Sequence, residues 1–141
     1  MPSHLRNMSI PLFGNTSTEP GIQRDLTNAV RESFINDGRL KVITSDKANL
    51  LMKGTLYQYE LRPVAFDRQD IAVEYWVILG VDIEVIDQVK KKPYLKQKIN
   101  TKWDYRATSD VAGSEASRQI ALAQAYRDLA NRVVSLVIEK F

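Results

Sequence analysis

Ala72-Val73-Glu74-Tyr75-Trp76-Val77-Ile78-Leu79-Gly80-Val81-Asp82-Ile83-Glu84-Val85-Ile86-Asp87 is the stretch from which the fold is read. Every second residue from Val73 through Tyr75, Val77, Leu79, Val81 and Ile83 to Val85 is apolar. A period of two held over that length specifies a β-strand with one face buried against another layer. The alternate positions, Glu74, Trp76, Ile78, Gly80, Asp82, Glu84 and Ile86, make a mixed second face. The same stretch comes nearest to a membrane span, but Glu74, Asp82 and Glu84 interrupt it, so no transmembrane helix is expected.

Downstream, residues 88–93 read as a loop and residues 94–107 as a returning strand. Leu95, Ile99, Trp103 and Tyr105 share one of its faces; Lys96, Lys98, Asn100, Lys102 and Asp104 share the other. In a simple hairpin, facing residues have numbers that sum to about 180. This predicts Asp82 opposite Lys98, Glu84 opposite Lys96, and Ile78 opposite Lys102, which has no acid across from it. After a break at residues 109–113, the remainder to Phe141 reads as one helix. Its predicted apolar stripe is Ala116, Ile120, Ala123, Leu129, Ala130, Val133, Val137 and Phe141.

Upstream, residues 51–61 form a strand in which Gly54 marks a bulge or a close backbone approach. Pro63 opens a polar connection over residues 62–70. Residues 40–43 are a short strand. Ile22, Leu26, Ala29, Val30, Ser33 and Phe34 share one face of a helix placed at residues 20–37. Pro20 suits its first turn, and Gly38 suits a left-handed C-terminal stop. Residues 5–13 are a strand whose Pro11 favours an edge or a strand end. The order is β-α-β-β-β-β-α, an α+β fold. Two helices pack on one face of a mostly antiparallel four- to five-stranded sheet, and residues 1–141 make a single domain. The other sheet face is left bare.

The chain is 44% apolar and 26% charged, which is globular, and its net charge of +3 is too small to imply nucleic acid. With no cysteine there is no disulfide, thiolate chemistry or Cys-based metal site. His4, the only histidine, reads as a surface residue, and the carboxylates form no metal-ligand cluster. No cofactor is implied, and no apolar leader follows Met1-Pro2-Ser3-His4-Leu5-Arg6.

Attention therefore falls on the bare face. From Lys90 to Lys102 there are six lysines and no acid. Lys96 and Lys98 read either as cross-strand ion pairs, each worth about 0.2–1 kcal/mol, or, with Lys102, as a cationic site for a phosphorylated glycolipid. Trp76 and Ile78 read either as isolated exposed apolar residues or as a partner surface. Lys90-Lys91-Lys92 at the hairpin tip is either simply solvated or meets anionic headgroups.

Several pieces occur together, in order: Ile10-Pro11-Leu12-Phe13 with Asn15, Glu19-Pro20-Gly21, Asp37-Gly38-Arg39-Leu40, Ala48 with Leu50, and Lys53-Gly54-Thr55. Residues 57–63, Asp128-Leu129-Ala130 and Val133-Val134 follow. In these the chain resembles, over nearly its whole length, the LptE family of outer-membrane lipoproteins. The resemblance implies the same two-helix, one-sheet fold and a non-catalytic role at the periplasmic face of the outer membrane. It implies an LptD-type β-barrel as the partner that the protein plugs and helps assemble, and lipopolysaccharide as ligand. It also implies a lipid anchor on an N-terminal cysteine; since this chain has none, it is expected to begin just past a leader, with Met1 added. No short motif marks the family's lipopolysaccharide contacts. Lys96, Lys98 and Lys102 are therefore candidates from pattern alone, with Lys90, Lys91, Lys92 or Arg62 as the next. Two alternatives stay open. One is another small periplasmic lipoprotein domain, of the kind that activates penicillin-binding proteins or serves curli-type secretion. The other is a cytosolic enzyme or a nucleic-acid binder, the latter disfavoured by the scattered charges and missing aromatic platform.

Overall fold

The period of two in residues 72–87 is realised as a central strand, β5 (Ala72–Asp87), whose Val77, Leu79, Val81, Ile83 and Val85 are buried on one side. A computed structural model describes residues 2–140; Met1 and Phe141, the predicted end of the last apolar stripe, lie outside the described residues. The other elements are β1 (Asn7–Ser9), β2 (Gly14–Asn15), α1 (Ile22–Asp37), β3 (Lys41–Ile43), β4 (Leu50–Phe66), β6 (Lys92–Arg106) and α2 (Val111–Glu139). Among the described residues the strands form one 6-stranded sheet in the order β3-β1-β4-β5-β6, with β2 paired to β4. β4, β5 and β6 are an antiparallel meander; β1 runs parallel to both β3 and β4. A parallel β1–β3 pair needs a crossover, and α1 supplies it.

Both helices lie over the same face. Ile22, Leu26, Val30 and Phe34 of α1 and Leu122, Leu129, Val133 and Val137 of α2 join the inward residues of β4 and β5 in one core. Gly38 takes φ 81° and closes α1 through its N–H to the Phe34 carbonyl, 3.0 Å away, as its position predicts.

Four expectations are corrected. The strand placed at residues 5–13 is two short strands, because Pro11 interrupts the ladder. The Phe13 N–H instead bonds the buried Thr27 hydroxyl at 3.0 Å, and the Arg31 guanidinium donates to the Ile10 carbonyl at 2.8 Å. The connection placed at residues 62–70 is strand up to Phe66; bulges near Pro63 and Ala65 absorb the proline, and the turn is only residues 67–71. The loop at residues 88–93 is shorter, since β6 begins at Lys92. The N-terminal half of α2 turns Ala121, Leu122, Ala125 and Tyr126 inward and leaves Ile120 64% exposed, with Ala116 and Ala123 also outside. Counting back from Val137 by Val133, Leu129 and Tyr126 lands on Leu122, not Ile120.

The N-terminal segment is fixed by side chains. Asn49 Oδ1 accepts from the Arg6 and Asn7 amides at 2.9 and 3.2 Å, and Asn7 Oδ1 accepts from the Asn49 amide at 2.7 Å. His4, expected on the surface, has its Nε2 2.8 Å from Oδ2 of the buried Asp87. Asp87 Oδ1 accepts from the Val89 and Lys90 amides at 3.0 and 2.9 Å. Burial pushes the Asp87 carboxyl up, but the Lys90 amide, the His4 ring and the Val89 amide together outweigh it, so the group titrates below the usual carboxylate range.

Gly54 is a close approach: a Cβ there would lie 2.7 Å from the ring of Phe13, which is 2% exposed. At Gly80 a Cβ would lie 2.7 Å from the ring of Tyr57, but Tyr57 is only half-buried and can swing outward. Gly54→Ala is expected to destabilise by about 1–3 kcal/mol, and Gly80→Ala by less, as read by denaturant unfolding. The Asp87 carboxyl binds its proton less readily folded than unfolded. Its contribution to stability is therefore present above the unfolded pKa, about 3.9, and is lost as pH falls through the folded value. Asp87→Asn should be less stable than the parent at pH 7, and the gap should shrink below about pH 4.

Candidate functional site: the open face of the meander

The pleat decides what the uncovered face presents. On β5 it is Glu74, Trp76, Ile78, Gly80, Asp82, Glu84 and Ile86. The β5–β6 register pairs Asp82 with Lys98, Glu84 with Lys96, and Ile78 with Lys102, as the hairpin arithmetic predicts. On β4 the same face carries Lys53, Thr55, Gln58, Glu60 and Arg62, opposite Glu84, Asp82, Gly80, Ile78 and Trp76. The register shift between Leu56 and Gln58 makes Tyr57 an extra residue, and its ring lies over Gly80. A residue without a side chain beneath is what lets that ring lie flat on the sheet.

Correct register does not produce the expected ion pairs. Among the described residues, none of Lys96, Lys98 and Lys102 makes a salt bridge. Two of these lysines turn to aromatic rings instead. Lys98 Nζ is 5.1 Å from the Tyr57 ring centroid, and Lys102 Nζ is 3.9 Å from that of Trp76. Such contacts are worth about 0.5–1 kcal/mol at exposed sites, no less than a surface ion pair at about 0.2–1 kcal/mol. Glu84 and Asp82 lie across from Lys96 and Lys98 in register, yet among the described residues neither closes to a salt bridge. The ion pair on this face is Arg62 Nη2 to Glu60 Oε2, at 2.9 Å.

The structure thus brings Lys96, Lys98, Lys102 and Trp76 to one surface. Ile78 is on that face but only 9% exposed, so it is a floor rather than a contact surface; Glu60 and Lys102 flank it across the strands. Lys90, Lys91 and Lys92 are exposed at the β5–β6 turn, where Lys91 takes a left-handed φ of 53° and the Lys90 amide caps Asp87. They lie at the end of the sheet beside His4, away from Trp76. Tyr57 keeps the side that alternation from Lys53 and Thr55 gives it, and the bulge moves Gln58 onto the same face and turns Tyr59 toward the helices. The signal available for the Tyr57 ring is Gly80, a residue without a side chain in an otherwise bulky strand.

The helix-covered side is built for cohesion. Arg118 of α2 donates to the Tyr59 hydroxyl at 2.7 Å and pairs with Glu115, also at 2.7 Å. The Arg118 and Gln119 hydrogen bonds hold the Glu115 carboxyl down at about 2, while burial raises Tyr59. Tyr75 and Tyr105 stack at 5.5 Å between centroids, and Tyr94, pushed up to about 12 by burial, donates its hydroxyl to the Val137 carbonyl at 2.8 Å. Among the described residues no group of His, Cys, Asp and Glu is arranged to hold a metal, and no helix is long and apolar enough to cross a membrane.

The same fold recurs in bacterial lipoproteins. Rare lipoprotein B of Shewanella oneidensis superposes with a TM-score of 0.68 at 17% identity, over 94% of this chain and 95% of that one. A minor lipoprotein of Acinetobacter baumannii gives 0.64 at 14% identity, over 94% and 90%. Lipoprotein B of Nitrosomonas europaea gives 0.58 at 15% identity, over 89% and 81%. No curated protein sequence matches the chain. The sequence profile of LptE, described as lipopolysaccharide-assembly, matches residues 5–137. With that profile matched across both helices and the whole sheet, the chain belongs to the LptE lipopolysaccharide-assembly family.

Proposed function

We propose that this protein is a non-catalytic component of the outer-membrane lipopolysaccharide translocon, which seats in an LptD-type β-barrel and binds lipopolysaccharide on the open face of β4–β5–β6. Family membership supports the setting. The observation that carries the ligand is the row Lys96, Lys98 and Lys102, which makes no salt bridge among the described residues although Glu84 and Asp82 lie across from the first two, and which lies beside the Trp76 and Tyr57 rings. Lipid A offers what that row lacks: phosphates for the ammonium groups and acyl chains for the aromatic and aliphatic surface. A face without catalytic groups suits a protein that holds and hands on a lipid.

Lys90, Lys91 and Lys92 have a second place in this reading. His4 ties the N-terminal segment to Asp87, one turn from these lysines. A lipid anchor ahead of the segment would bring this basic turn near anionic headgroups, where each lysine contributes about 1 kcal/mol. The family's site at the periplasmic face of the outer membrane fits that arrangement.

Two measurements test the proposal. A tagged, lipid-anchored form expressed with its native LptD-type barrel should co-purify with it. A folded, anchored protein that leaves the barrel behind, or that retains a peptidoglycan synthase instead, would overturn the assignment. Lys96→Glu with Lys98→Glu and Lys102→Glu should weaken lipopolysaccharide binding by at least about tenfold, or 1.4 kcal/mol, with an unchanged circular dichroism spectrum. Unchanged binding would move the site to Lys90–Lys92 or Arg62.

A further inference from the structure

β6 is an open sheet edge of 15 residues, whereas the opposite edge, β3, has 3. The Ala107 N–H points inward to the Val73 carbonyl at 3.0 Å, and strand alternation then turns the backbone groups of every even residue outward. The Asn100 carbonyl agrees, since it reaches the Arg132 guanidinium, 2.8 Å away on α2. Lys96, Lys98, Asn100, Lys102 and Asp104 therefore present a ladder with no strand partner, occupied by a side chain at the Asn100 carbonyl, and their side chains all lie on the open face. No proline or bulge interrupts this stretch. Behind the edge, on the helix side, a groove of about 370 Å³ runs between β6 and α2, with Ile99 and Leu136 as its apolar lining and Asp128, Arg132 and Glu139 as its charged lining, which favours apolar over acidic side chains on that side of an added strand. The groove continues past Trp103, whose indole N–H is buried without a partner among the described residues.

We infer that the β6 edge accepts an added β-strand from a partner protein, an extended segment that alternates acidic and apolar side chains. Main-chain bonds to the even residues would supply the register. Acids would lie beside Lys96, Lys98 and Lys102, and the apolar alternates would drop toward Ile99 and Leu136. The same lysines select against a second copy of this chain, because antiparallel β6–β6 pairing brings two lysine rows together. Arg132 is the gate: an incoming strand must take over the Asn100 carbonyl that it now occupies. This site goes beyond lipopolysaccharide binding, since it needs backbone groups that a lipid does not use.

The probe is a fluorescent nine-residue peptide of alternating Glu and Val, compared with the same peptide N-methylated at alternate residues. The parent peptide should bind, and it should slow amide exchange at Lys96, Lys98, Asn100 and Lys102, whose N–H groups otherwise face solvent. N-methylation should weaken binding at least about tenfold. Asn100→Pro removes one outward N–H, leaves the β5 ladder and the lysine row intact, and should weaken the peptide while sparing lipopolysaccharide. Arg132→Ala should not weaken it. Equal binding of the methylated peptide, no added exchange protection, or a dimer formed through β6 would each overturn the inference.

Discussion

Val77, Leu79, Val81, Ile83 and Val85 are each no more than 1% exposed, and they stand on one side of a strand that lies between two others. A slip of one residue in β5 would drive Asp82 and Glu84 into the helices and expose this whole row. That prohibition sets the register of β4 and β6 together, and through them the side on which every other residue falls. Because both amphipathic helices are spent on the apolar row, none remains for the reverse side. The bare face is thus a direct result of how little apolar surface the chain has to cover it.

Much of this was legible in the residues, and for stated reasons. A long period of two identifies β5 on its own, and one hairpin turn then aligns Asp82 with Lys98 and Ile78 with Lys102. Gly38 and the Ile22-Leu26-Val30-Phe34 spacing locate α1 from local geometry alone. Illegible features depend on partners distant in the chain. β1 and β2 have 3 and 2 residues, and they are held by Thr27, Asn49 and Arg31 rather than by any pattern of their own. The alanine-rich start of α2 offers two near-equivalent faces, and only packing against α1, β5 and β6 selects Leu122 over Ile120.

The candidate site divides along the same line. Which lysines share a face follows from alternation, and that reading holds. What the lysines do there does not follow, because two weak attractions of similar size compete. Tyr57, at the bulge on this face, and Trp76 draw Lys98 and Lys102 over their rings. His4 shows the reverse case. Without a nearby acid in sequence it reads as idle, yet Asp87, eighty-three positions away, gives it a structural partner.

The placement of β1 has a mechanical consequence. A terminal strand commonly lies at a sheet margin, where tension peels it off one bond at a time. Here the first strand is wedged between β3 and β4, parallel to both, with the Asn7–Asn49 exchange and the His4–Asp87 contact at its leading end. A pull on the N-terminus along the strand axis must shear two ladders at once and break those side-chain ties with them. The fold is thereby suited to bear load applied at its N-terminal end.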